Sequence, residues 1–130
     1  MNKSTWSSHL LSVLRIMSGL LFLEHGTSKL LGMPPSNMPG HFQLFSMMGF
    51  SGILEFVGGI LLAIGLFTRF TAFILSGEMA VAYFMVHAPH GFFPILNKGE
   101  IAVLYCFVFL YLVFAGGGPW SIDRAVLKQD

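Results

Sequence analysis

The chain has 130 residues, 55% of them hydrophobic and only 10% charged, with a mean hydropathy of +0.74. Soluble domains carry about 25% charged residues, and a chain this short exposes a large share of its surface, so the composition excludes an ordinary soluble domain and the length leaves room for a single one, residues 1–130. A net charge of +1 provides no basic surface for nucleic acid, and the lone cysteine, Cys106, excludes an intramolecular disulfide, a C-x-x-C redox pair and a thiolate zinc site.

Four apolar segments approach the ~20 residues that a bilayer requires. They lie near Leu10 to Leu31, Phe50 to Phe67, Phe70 to Val86 and Ile101 to Ala115. The first has a single lysine ahead of it but no A-x-A-like site after it, and Glu24, His25 and Lys29 interrupt it, so it reads as a retained span and not a signal peptide. Between the first and second segments, Gly32 to Gly40 reads GMPPSNMPG; between the third and fourth, Ala88 to Gly99 reads APHGFFPILNKG. Both have helix-breaking loop chemistry. Thr68 and Arg69 form a very short link that makes the second and third segments an antiparallel hairpin. Neither end, MNKS or LKQD, shows a lipidation signature. The expected fold is all-α, a four-transmembrane-helix antiparallel bundle. Lys3, Arg69, Arg124 and Lys128 fall on one side and Lys29 and Lys98 on the other, which predicts both termini cytoplasmic and places His41, His87 and His90 at or beyond the outer face.

Acidic residues are scarce, and four of the six fall one per segment: Glu24, Glu55, Glu78 and Glu100. A charge at mid-bilayer costs roughly 2.5 to 3.5 kcal/mol, whereas a leucine-class residue returns about 0.3 to 0.6. Glu78 therefore requires a partner or a proton. Counted from the inner side, Arg15 and Glu78 differ by only ~5 Å in depth, so an Arg15–Glu78 interhelical pair is expected, structural in the first instance. Nearer the outer ends, Glu24, His25, Lys29, Glu55, His87 and Glu100 bring polar groups from all four segments to one layer. These six are the candidate ligand-binding or proton-relay residues.

His25 and Lys29 are four apart and share a helix face. Glu24, nine residues from Arg15, lies on the opposite side of that helix from it and turns to a neighbouring helix or another subunit. Gly52, Glu55 and Gly59 share a face of the second segment, with Gly58 adjacent and Gly65 one repeat on, a groove that serves either helix packing or a ligand. Glu100 has a plainer reading as a favourable charge at a helix N-terminus. Trp6 and Trp120 read as interfacial anchors, His41 and His90 as solvated loop residues. No metal site is expected. Haem ligation by His25 and His87 is the weaker reading of those two side chains.

R-I-M-S-G-L-L-F-L-E-H-G-T-S-K-L from Arg15 to Leu30, E-F-V-G-G-I-L-L-A-I-G-L-F-T-R from Glu55 to Arg69, His87, N-x-x-E from Asn97 to Glu100 and G-G-G-P-W-S-I-D from Gly116 to Asp123 occur in that order. In order and spacing the chain resembles the DoxX family of small four-helix membrane proteins over nearly its whole length. The tail departs slightly from the family's more frequent G-x-G followed by S-L-D. The resemblance implies a multipass plasma (inner) membrane protein linked to membrane oxidoreductase complexes and to thiol or oxidative stress. Taken with the polar layer, it leads to a membrane subunit of an oxidoreductase system that binds a quinone-like apolar ligand between its helices. The expected partners are the lipid bilayer, a soluble or membrane oxidoreductase subunit and a second copy of the chain. A small-solute or proton carrier and a scaffold that recruits a soluble enzyme remain open as alternatives, and no catalytic residue is assigned.

Overall fold

The computed structural model describes residues 3–31, 47–97 and 99–128, which form helices and turns with no strand among them. The helices are α1 (Lys3–Leu31), α2 (Met47–Ile64), α3 (Thr68–Ala82), α4 (Pro94–Asn97), α5 (Glu100–Ala115) and α6 (Ile122–Ala125). Past Ala82, α3 runs on through a wide π turn at Tyr83–His87 and a tight 3₁₀ turn at Ala88–His90. Thr5–Leu31 and Thr68–His90 are long and apolar enough to cross a membrane, while Gly49–Ile64 and Glu100–Ala115 are apolar but shorter.

Two sequence expectations about the connections change. Thr68 and Arg69 are not the link between the second and third segments; they form the first turn of α3, and the chain reverses at Gly65–Phe67. Gly65 adopts φ +76°, and a Cβ there would lie 2.5 Å from Ser121 Cβ, so the turn needs glycine for both its conformation and its packing. The 88–99 segment carries helical turns despite its prolines, because Pro94 sits at the start of α4, where its missing N–H has no partner to lose. The loop expected at Gly32 to Gly40, and His41, lie outside the described residues.

Small residues determine how α1 and α2 meet. A Cβ on Gly26 would lie 2.5 Å from Phe56 N, one on Gly59 2.5 Å from Leu23 N, and one on Gly19 2.6 Å from Ala63 N. The two backbones are therefore in direct contact along an antiparallel seam, the close approach that small-residue stripes permit. Gly58 instead faces Leu75 of α3. A core of Phe22, Leu62, Ala72, Leu75, Met79, Tyr83, Ala102, Phe109 and Leu112 joins α1 and α2 to α3 and α5.

Polar side chains are distributed inside out. Arg15, Ser12, Thr68, Glu55 and Asp123 are buried, whereas Phe70, Phe73, Phe107 and Phe114 point outward. A soluble domain would reverse that arrangement.

The end of the bundle that carries the start of α1 and the α2–α3 turn is closed by the segment after α5. Arg15 is fully buried, and its guanidinium donates to the carbonyls of Leu62 (2.8 Å), Gly117 and Trp120 (2.8 Å). Ser12 Oγ accepts from Trp120 N, and the Asp123 carboxylate accepts from the free backbone N–H groups of Phe67 and Thr68 at the start of α3. The expected Arg15–Glu78 pair does not form. Glu78 is ten residues into α3, about 15 Å along the helix from the turn beside which Arg15 is held. Depth counted from the span starts obscured that difference: Arg15 is twelve residues into α1, but its bond to Leu62 O holds it level with the last turn of α2, so α1 overhangs the turn from which Glu78 is counted.

Candidate functional site

At the opposite end, α1, α2, α3 and α5 enclose a cavity of about 350 Å³, within the size range of small-molecule sites. One wall is apolar and aromatic, made by Phe22, Met79, Ala82, Val86, Ile101, Ala102 and Tyr105; His25, Lys29, Ser51, Glu55 and His87 bring polar groups to it. The π turn at Tyr83–His87 places His87 on the cavity, and widened turns of this kind recur at functional sites.

The polar wall is built around Ser51. Lys29 Nζ lies 2.8 Å from Glu55 Oε2 and donates to Ser51 Oγ at 3.0 Å. Ser51 Oγ is 2.9 Å from Glu55 Oε2 and 2.7 Å from Glu78 Oε2. Gly52 makes room for this arrangement, because a Cβ there would lie 3.1 Å from Lys29 Cβ. Glu55 is 2% exposed, and its Oε1, like Glu78 Oε1, is buried with no hydrogen-bond partner. An ammonium has three donors; two are engaged here, which leaves one for a ligand.

Aromatic rings line the neighbouring surface. Phe22 packs edge-on against Tyr105 and Phe109, with centroids 4.9 and 4.8 Å apart, and the His25 ring stands edge-on to Tyr105 at 6.3 Å. A flat apolar ligand would meet aromatic side chains and hydrogen-bonding groups in the same cavity.

Of the six candidate residues, the structure brings His25, Lys29, Glu55 and His87 to the cavity. Glu24 and Glu100 do not line it. Glu24 is exposed on α1, and Glu100 is exposed at the start of α5 beside a separate shallow groove with Pro94, Ile101 and Leu104. Glu78, assigned from sequence to the structural pair, belongs to the Ser51 cluster instead. Ser51 and Tyr105 were missed. Ser51 precedes Glu55 by one helical turn and so shares its face, a signal hidden by its small size; nothing in the pattern of α5 singles out Tyr105.

Residues 10–88 match the DoxX family model. An uncharacterized Haemophilus influenzae protein is 46% identical, with 98% of each chain covered. The "Putative oxidoreductase CatD" of Bacillus subtilis is 28% identical, covering 98% of this chain and 93% of that one. The "Inner membrane protein YqjF" of Escherichia coli is 29% identical over 90% of this chain and 92% of its own. No solved structure matches significantly.

Proposed function

Because the chain belongs to the DoxX family and is a membrane protein, we propose that it is a multipass inner-membrane subunit of an oxidoreductase system that binds a quinone-like apolar ligand between its helices. The cavity carries this reading: about 350 Å³, mostly apolar and aromatic, with the polar groups of His25, Lys29, Ser51 and Glu55 converging on it. The names "Putative oxidoreductase CatD" and "Inner membrane protein YqjF" of two relatives point the same way.

In this reading α1, α2, α3 and α5 are four spans, so both termini share one side, which the basic bias of Lys3, Arg69, Arg124 and Lys128 makes cytoplasmic, and the cavity falls in the outer half of the bilayer. At 18 and 16 residues, α2 and α5 cover ~27 and ~24 Å. Tilt and local thinning of a ~30 Å hydrocarbon core accommodate such lengths at modest cost.

A bound quinone supplies two-electron, two-proton chemistry, with electrons from a partner oxidoreductase subunit. His25 and the remaining Lys29 donor would hydrogen-bond the ligand's oxygens, and Glu55 would exchange the accompanying proton. Phe22 and Tyr105 would hold the ring and exclude water. Purification in mild detergent followed by solvent extraction and quinone analysis tests this. Quinone should co-purify, and added quinone should raise the unfolding temperature. Reproducible absence of both refutes it, and proton or solute transport in liposomes without a redox partner, lost in Glu55→Gln, would identify a carrier instead.

A further inference from the structure

Ser51 Oγ has three polar neighbours within 3.0 Å: Lys29 Nζ and one oxygen each of Glu55 and Glu78. A hydroxyl carries one hydrogen and accepts through its lone pairs. The ammonium only donates, so it takes one lone pair. The single hydroxyl hydrogen can go to one carboxyl and not to both. For the third contact to be a hydrogen bond, the other carboxyl must itself donate, which requires a proton on it. Charge leads to the same count: two carboxylates facing one ammonium leave one uncompensated negative charge in the bundle, and one proton removes it. Glu55 Oε1 and Glu78 Oε1, both buried and unpartnered, fit a cluster short of donors.

We propose that Lys29, Ser51, Glu55 and Glu78 together hold one proton, and that the Ser51 hydroxyl passes it between Glu78, which does not line the cavity, and Glu55, which does. Two arrangements satisfy all three contacts of Ser51 Oγ. In one, Glu78 donates to Ser51 Oγ and Ser51 donates to Glu55 Oε2. In the other, Glu55 donates to Ser51 and Ser51 donates to Glu78 Oε2. Conversion breaks the O–H bond of Glu78, forms one at Ser51 Oγ, breaks the original hydroxyl O–H bond and forms one on Glu55, with no net change of charge. Lys29 lies against Glu55 and stabilises the first arrangement, with the proton in reserve on Glu78. Glu78 thereby becomes a proton reservoir one hydrogen bond behind the cavity wall, and Ser51 a positioned relay.

The use of that proton, delivery from Glu55 to a ligand oxygen, rests on the function proposed above, but the test does not. Infrared spectra of the purified, quinone-free protein at neutral pH should contain an un-ionised carboxyl stretch that shifts in heavy water. Both Glu78→Gln and Glu55→Gln should abolish it, because each leaves one carboxyl opposite one ammonium. Ser51→Ala should keep the band but slow its deuterium exchange by on the order of a hundredfold, the lower end of what a positioned proton-transfer group contributes, and Ser51→Thr should restore the rate. Absence of the band from the unaltered protein overturns the proposal, as does its survival in both glutamine variants or unchanged exchange in Ser51→Ala. A band with these properties in a protein that binds no quinone would refute only the ligand.

Discussion

Replacing Arg15 by Met keeps much of the side-chain volume and removes the guanidinium. Three carbonyls then lose a charged donor: Leu62 at the end of α2, which keeps Gly65 N, Gly117, which keeps Ser12 Oγ, and Trp120 in the segment after α5. Hydrogen bonds to a charged group contribute about 1.5 to 3 kcal/mol each, and removal of one partner from a buried ionic network costs about 3 to 5 kcal/mol. Part of the loss is returned because no charge need be buried, so a destabilisation of about 3 kcal/mol is expected. Reversible unfolding in mixed detergent micelles measures it, and the same series decides Arg15's partner. Since Arg15 and Glu78 share no hydrogen-bond partner, the effects of Arg15→Met and Glu78→Gln should add to within about 0.5 kcal/mol. A coupling energy of several kcal/mol, or a loss below about 1 kcal/mol in Arg15→Met alone, would show that the tail carbonyls are not what holds the guanidinium.

Gly26→Ala places a methyl 2.5 Å from Phe56 N and should destabilise by about 1 to 3 kcal/mol. Gly77→Ala, with nothing within 4 Å, should stabilise by up to about 1 kcal/mol through helix propensity, both read from the same unfolding curves. Asp123→Ala removes the acceptor for Phe67 N and Thr68 N and should cost about 1 to 2 kcal/mol, with faster amide exchange confined to the first turn of α3. Ala102→Phe fills the cavity from α5; quinone retention should fall at least tenfold while Arg15-dependent stability is kept, and unimpaired retention would place the ligand elsewhere.

The helical class and the convergence of His25, Lys29, Glu55 and His87 at one end were legible because helical period and depth can be counted along a chain. The Gly52–Glu55–Gly59 face was equally readable, although its glycines proved to serve the α1 seam while Glu55 alone turns to the cluster. What failed was partner choice. Arg15 is satisfied by backbone carbonyls, which every residue possesses and which leave no mark in a sequence. A charge-matching argument could only offer it a carboxylate, and Glu78 was available. Glu24 and Glu100 do not line the cavity, because depth follows from counting along a helix, whereas which neighbour a face meets depends on how the helices pack. Ser51 was overlooked because a small hydroxyl gains importance only from neighbours on other helices.

The Arg15 lock also bears on biosynthesis. Gly117 follows Arg15 by 102 residues, so when α1 leaves the ribosome the residues that will satisfy its guanidinium have not been made. Until α5 is in place and the segment behind it folds back, the Arg15 guanidinium lacks two of its three carbonyl acceptors. Closure of this end of the bundle therefore waits on the segment after α5. A chain interrupted after α5 would retain α1, α2, α3 and α5 yet leave the Arg15 guanidinium with Leu62 O alone of its three carbonyl acceptors.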